Sequence, residues 1–170
     1  MESPGLPTPR PAAPDPARAR LKAQARAKSG ASWFYWIAAL SLLNSIILLT
    51  GSTRTFVLGL GITQVVDAFA SVFEDQLGLG GGSYLTFLAL GLDALVAGLI
   101  GLIGYFARKG LQAVYVLGIA LYILDGLLVL AFQDWLGALF HALALGYMAA
   151  GFIALRKLAA SPAATVTTAS

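Results

Sequence analysis

Four runs of about twenty apolar residues fix what this chain can become, because a helix rising 1.5 Å per residue needs about that many to cross the roughly 30 Å hydrocarbon core of a bilayer. They are Trp33 to Thr50, Tyr84 to Ala107, Leu111 to Phe132 and Trp135 to Leu155. That core offers no water to a free peptide group, so a spanning segment hydrogen-bonds within itself. The predicted fold is all-α, an integral membrane four-helix bundle. Composition agrees: 58% of the residues are hydrophobic and 11% charged, with a mean hydropathy of +0.80, whereas a soluble domain is about 25% charged. The lipid bilayer is therefore the first expected partner. With no cysteine in the chain, disulfides, thiolate metal sites and thiol nucleophiles are excluded.

Basic residues set the expected orientation. Arg10, Arg18, Arg20, Lys22, Arg26 and Lys28 precede the first run, Arg108 and Lys109 follow the second, and Arg156 and Lys157 follow the fourth, while Glu74, Asp75 and Asp134 fall on the opposite side. Under the positive-inside rule both termini are cytoplasmic and the protein is a multi-pass component of the plasma (inner) membrane. The basic arm reads as a retention signal, so nucleic acid is not an expected partner. Residues 1–30, with six of the seven prolines, are expected to be a disordered basic cytoplasmic arm with a short helix from Ala17 to Lys28. Residues 31–158 form the transmembrane domain and 159–170 a flexible tail. The long basic region and the missing small-residue cleavage site predict a retained anchor rather than a signal peptide. Trp33, Phe34, Tyr35 and Trp36 read as an aromatic belt at the inner interface, and Trp135 marks the outer one.

A fifth apolar stretch, Thr55 to Phe73, would invert both later basic pairs if it spanned. Its Ile62, Val65, Val66, Phe69, Val72 and Phe73 recur at helical spacing, with Thr63, Gln64, Asp67, Ser71 and Glu74 on the other face. The expectation is an amphipathic interfacial helix over about 56–75, lying on or dipping into the outer surface, with Gln64 and Asp67 as candidate lid residues. The run from Gly78 to Ser83 is a flexible link.

Shifting the first span by 81 positions lays LSLLNSIILL (Leu40 to Leu49) on LYILDGLLVL (Leu121 to Leu130), with Asn44 on Asp125. A shift of 48 lays Asp93 to Lys109 on His141 to Lys157, with Asp93 on His141. Two readings stay open: a duplicated helical hairpin with parallel halves, and chance similarity in a biased composition. Depth is the firmer signal. Asn44, Asp93, Asp125 and His141, one strongly polar residue per span, all lie roughly 9–14 Å below the outer ends of their helices. Facing lipid they would be costly, so they should point inward and find partners. Ala97, Gly101 and Gly104 continue the Asp93 side, and Gly118 and Tyr122 the Asp125 side, where close helix approach is expected. His141 is the expected cationic partner of one carboxylate, and Asp93 and Asp125 are expected to titrate as one coupled pair.

Such a layer could hold helices together, or exchange a proton or cation through two carboxylates and an imidazole. Paired helix-borne histidines, which strong metal sites use, are missing, and no cofactor or metal is implied. Catalysis is not expected either: Leu92 stands where intramembrane aspartyl proteases carry the glycine just before the acid, and no span offers a Gly-x-Ser nucleophile near His141. The leading expectation is a small proton- or cation-conducting transport component using Asn44, Asp93, Asp125 and His141. The alternative is a structural or accessory subunit whose polar cluster only holds the helices. Assembly with copies of itself or into a larger membrane complex fits either.

The strings LGIALYILDGLLVL and FHALALGYMAAG, with YWIAALSLLNSIILL and GLGITQVVDAFA before them, resemble a pattern of small uncharacterised bacterial membrane proteins. The likeness covers roughly Trp33 to Leu158. It implies four spans and a recurring polar layer, and carries no activity.

Overall fold

The computed structural model describes residues 15–49, 60–79 and 84–161, and these are helical apart from short turns. Five helices run in order: α1 Pro16–Leu49, α2 Gly61–Gln76, α3 Tyr84–Arg108, α4 Gln112–Ala131 and α5 Trp135–Ala160. No strand occurs among the described residues. α1, α3, α4 and α5 are long and apolar enough to cross a membrane, which makes this a multi-pass membrane protein by length and composition.

The four long helices close a ring in which α1 packs on α3 and α5, and α4 on α3 and α5. Short turns impose this up-and-down order. At Gly110, φ of +90° lets the chain reverse between α3 and α4. Asp134 caps α5, its Oδ1 accepting the Gly137 N–H at 3.0 Å. One end of the ring carries the basic pairs at 108–109 and 156–157, the other Glu74, Asp75 and Asp134.

The span boundaries fall close to expectation except in α1. The short helix expected from Ala17 to Lys28 is present, but it runs on into the first span as one continuous helix instead of standing apart in a disordered arm, and the difference has a compositional cause. The prolines stop at Pro16, and Ala, Arg and Lys beyond it are strong helix formers. Gly30 does not break the helix, because it is where α1 crosses α5: a Cβ on Gly30 would come within 2.7 Å of Gly151 Cα and 2.5 Å of Tyr115 Oη. Residues 1–14 and 162–170, and residues 56–59 of the expected interfacial helix, lie outside the described residues.

Phe34 belongs to the core rather than to an interfacial belt. It is fully buried, stands edge-on to Tyr115 at 5.7 Å, and occupies space that a Cβ on Gly104 or Gly118 would take. Trp33 stacks on Tyr147 at 4.9 Å, leaving Trp36 as the outward ring and Tyr35 beneath the Arg108 guanidinium. Ala97 and Gly104 are buried as expected, but a Cβ on Gly101 would meet nothing within 4 Å. Its face is turned away from the neighbouring helices.

The largest departure concerns α2. Its buried residues are Gly61, Thr63, Asp67 and Glu74, while Ile62, Phe69, Val72 and Phe73 are exposed. Thr63, Asp67 and Glu74 of the polar stripe face the bundle, Ser71 stays exposed, and the apolar stripe faces out. Nor does α2 lie flat on the end of the bundle. The Leu60 N–H donates to Ser41 Oγ at 2.7 Å, and Ser41 lies eight residues before the end of α1, about 12 Å down the helix. From that depth α2 climbs back to the acidic end, where Glu74 Oε1 accepts the Thr86 N–H at 3.0 Å, in the first turn of α3. The Thr86 hydroxyl donates to the same oxygen. α2 thus packs along the side of the bundle and not across its end, which matches the dipping form of the expected helix.

Candidate functional site

The residues expected to form one layer sort into two cells, and α2 closes both. In the first, Asp125 on α4 accepts the Gly61 N–H on Oδ2 at 2.8 Å and the Ile62 N–H on Oδ1 at 2.9 Å. These are amides of the first turn of α2, which have no partner within their own helix. A carboxylate placed there satisfies two of them and sits at the positive end of the helix dipole. Gly61 is required by proximity, since a Cβ there would meet Val129 Cγ2 and lie 3.3 Å from the Asp125 carbonyl. Thr63 turns its hydroxyl back to the Leu60 carbonyl at 2.8 Å and finishes the cap.

His141 completes this cell. Its Nε2 lies 2.8 Å from Asp125 Oδ2 and its Nδ1 2.8 Å from the Gly137 carbonyl oxygen. A carbonyl only accepts, so Nδ1 carries a hydrogen and donates it, and a second proton must lie between Nε2 and Oδ2. The pair is therefore neutral overall, whichever atom holds that proton. Gly126 leaves room for the ring, whose Cδ2 would be 3.2 Å from a Cβ there. Tyr122 stacks on its face at 4.4 Å and 14°. The imidazole is fixed by two hydrogen bonds and one ring.

In the second cell, Asp93 on α3 accepts the Ser45 hydroxyl of α1 on Oδ2 at 2.6 Å. The Asp67 carboxyl of α2 interacts with Asp93 at hydrogen-bonding range. Asp67 Oδ2 and Asp93 Oδ1 are buried and neither has a hydrogen-bond partner. Two carboxyl groups in contact at a buried site share a proton, because two ionised ones repel and are poorly solvated. Burial, and then the charge of Asp93, push the Asp67 carboxyl up from its ordinary 3.8 to about 7. The expected coupling of Asp93 with Asp125 is thus corrected: the acid coupled to Asp93 is Asp67, delivered by α2.

Asn44 is buried on α1, and no donor reaches its Oδ1. It is the neighbouring Ser45, and Ser41 one turn earlier, that bond to the site. The two expected lid residues part company. Asp67 is seated on Asp93, whereas Gln64 is half-buried along a groove beside Val129 and Phe132. Sequence reasoning missed Ser41, Ser45 and the Glu74 link to Thr86. Lone hydroxyls leave no mark in a hydropathy pattern, although two serines one turn apart beside Asn44 are the signal that was there. Among the described residues, no group of three or more histidines and carboxylates is placed to hold a metal ion.

Compared with models of known protein families, with curated proteins and with solved structures, the chain shows no significant match in any of the three.

Proposed function

We propose that this is a small proton- or cation-coupled transport component of the plasma membrane, in which the Asp67 and Asp93 carboxyls form the exchanging site and α2 is the part that moves. The observation that carries this reading is the acid pair itself: two buried carboxyl groups on different helices, with an unpartnered oxygen on each, one of them on a helix that does not span. Losing the shared proton sets two negative charges against each other and weakens the seat of α2. A cation taking the proton's place would restore it. Flux of protons and of monovalent cations into vesicles reconstituted with the pure protein tests this. Wild type is expected to conduct, and Asp93→Asn and Asp67→Asn to lose about tenfold or more while keeping their helicity. A wild type that passes none of the ions overturns the proposal.

The second reading is a structural or accessory subunit, alone, as a homo-oligomer or within a larger complex. It draws on the first cell, where both nitrogens of His141 and both oxygens of Asp125 already have protein partners, leaving that pair little capacity for a transported ion. The family of small bacterial membrane proteins whose sequence pattern this chain resembles fits either reading.

Both readings place the termini in the cytoplasm, on the strength of the basic residues at one end of the bundle. Cysteines introduced at Ser71 and at Lys109, both exposed, should therefore label differently in intact cells. Ser71 is expected to react with a membrane-impermeant maleimide from outside, and Lys109 only after the membrane is opened. The reverse pattern would invert the topology.

A further inference from the structure

Between α2 and the end of α4 runs a cavity of about 420 Å³ that the proton site does not use. One wall is a single stripe of α2, Gly61, Gln64, Val65, Ala68, Phe69 and Val72. The other is Val129 and Phe132 of α4, with Asp134 at the mouth. Phe69, Val72 and Phe132 are more than half exposed along its rim, so it opens on the side where the bundle presents its leucines.

Its shape narrows the choice of occupant. From Gly61 to Val72 the stripe is about 16 Å long, a channel walled mostly by apolar side chains and open along an outward rim. One extended hydrocarbon chain suits such a channel. The closed end lies at Gly61, about 9 Å down α4 beside Asp125, and the mouth at the acidic end. A lipid of the leaflet at that end would enter tail first in its ordinary orientation. Charge selects the head group. The mouth carries the Asp134 carboxylate, and every Lys and Arg among the described residues belongs to the first part of α1 or to the pairs at 108–109 and 156–157, remote from it.

We infer that the groove between α2 and α4 holds one acyl chain of an amine-bearing phospholipid, such as phosphatidylethanolamine, with the amine at Asp134. The chain covers the apolar stripe that the inverted α2 turns away from the bundle and wedges α2 against α4. This inference needs only the multi-pass membrane reading and is independent of ion exchange.

Photo-cross-linking tests it on the full-length protein, in vesicles of phosphatidylethanolamine and phosphatidylglycerol in equal parts, with a trace of either lipid carrying a diazirine on one chain. The phosphatidylethanolamine probe is expected to label Val65 to Val72 and Val129 to Phe132 above the general lipid-facing surface, and to exceed the phosphatidylglycerol probe by about tenfold there. Ala68→Trp, which fills the groove from α2, should remove that labelling. Val129→Trp fills it from α4 and serves the same purpose if the first variant fails to fold. Labelling spread evenly over outward residues such as Leu88, Leu95 and Leu117 overturns the inference, as does equal labelling by the two head groups. A hot spot in the wild type that survives both tryptophans overturns it as well.

Discussion

Asp125→Ala is expected to cost about 3–5 kcal/mol and to release the start of α2, because it removes one partner of a buried pair and leaves the rest uncompensated. His141 Nε2 loses its acceptor, and the Gly61 and Ile62 amides are left facing an apolar wall. Stranded groups of this kind cost more than the bonds contribute when intact. Hydrogen exchange reads the effect directly: protection over Gly61 to Val66 should collapse, while α5 beyond Ala144 keeps its protection. Asp125→Asn keeps one acceptor oxygen and should lie between the two. If α2 stays protected in the alanine variant, then Ser41 and Glu74 hold it and the carboxylate is incidental.

The grip on α2 is expected to weaken as pH rises, which is opposite to the usual behaviour of a protein carboxylate. Asp67 has its pKa raised from 3.8 to about 7 by burial and by Asp93, so the seated state binds its proton more tightly than the released state does. The contribution is therefore fully present below about pH 4 and is lost as pH climbs through about 7. A fluorophore on a cysteine at Ser71, an exposed position of α2, should become more mobile over that range. Asp67→Asn replaces the shared proton by a permanent N–H donor toward Asp93, and should leave α2 seated at all these pH values. Other titrating groups face the same helix: Asp125 with His141 at its start, and Glu74 at its end, bonded to Thr86. A variant whose mobility still rises with pH would move the switch to one of them.

These consequences follow from features that were unequally visible in the sequence. Run length and hydropathy identify α3, α4 and α5 to within a few residues, because a bilayer imposes that length on any helix crossing it. The polar layer is visible for a related reason: a strongly polar residue some 10 Å inside an apolar helix has few tolerable places to point. What periodicity does not carry is which face of an amphipathic helix is inward. In water the apolar face is buried, whereas α2 rests on a polar layer and turns Phe69 and Val72 outward. The spacing of its residues is the same in both cases. The partner of Asp93 is illegible on the same ground, since Asp67 reaches it only after α2 has been turned polar side in. Gly30 is illegible in another way: nothing in the sequence marks it as a contact until Gly151 is known to lie across from it.

That crossing makes α1 a balance beam. Its 34 residues form one uninterrupted helix of about 51 Å, pinned at Gly30 where nothing larger fits between it and α5. Ser41 and Ser45, which touch Leu60 and Asp93, lie about 17–22 Å to one side of the pin. Arg18 lies about 18 Å to the other. A tilt of α1 about that point moves the serines and the arginine through similar distances in opposite directions. The serines at the acid pair and the arginines of the basic end are thus joined by one unbroken helix held at its crossing with α5.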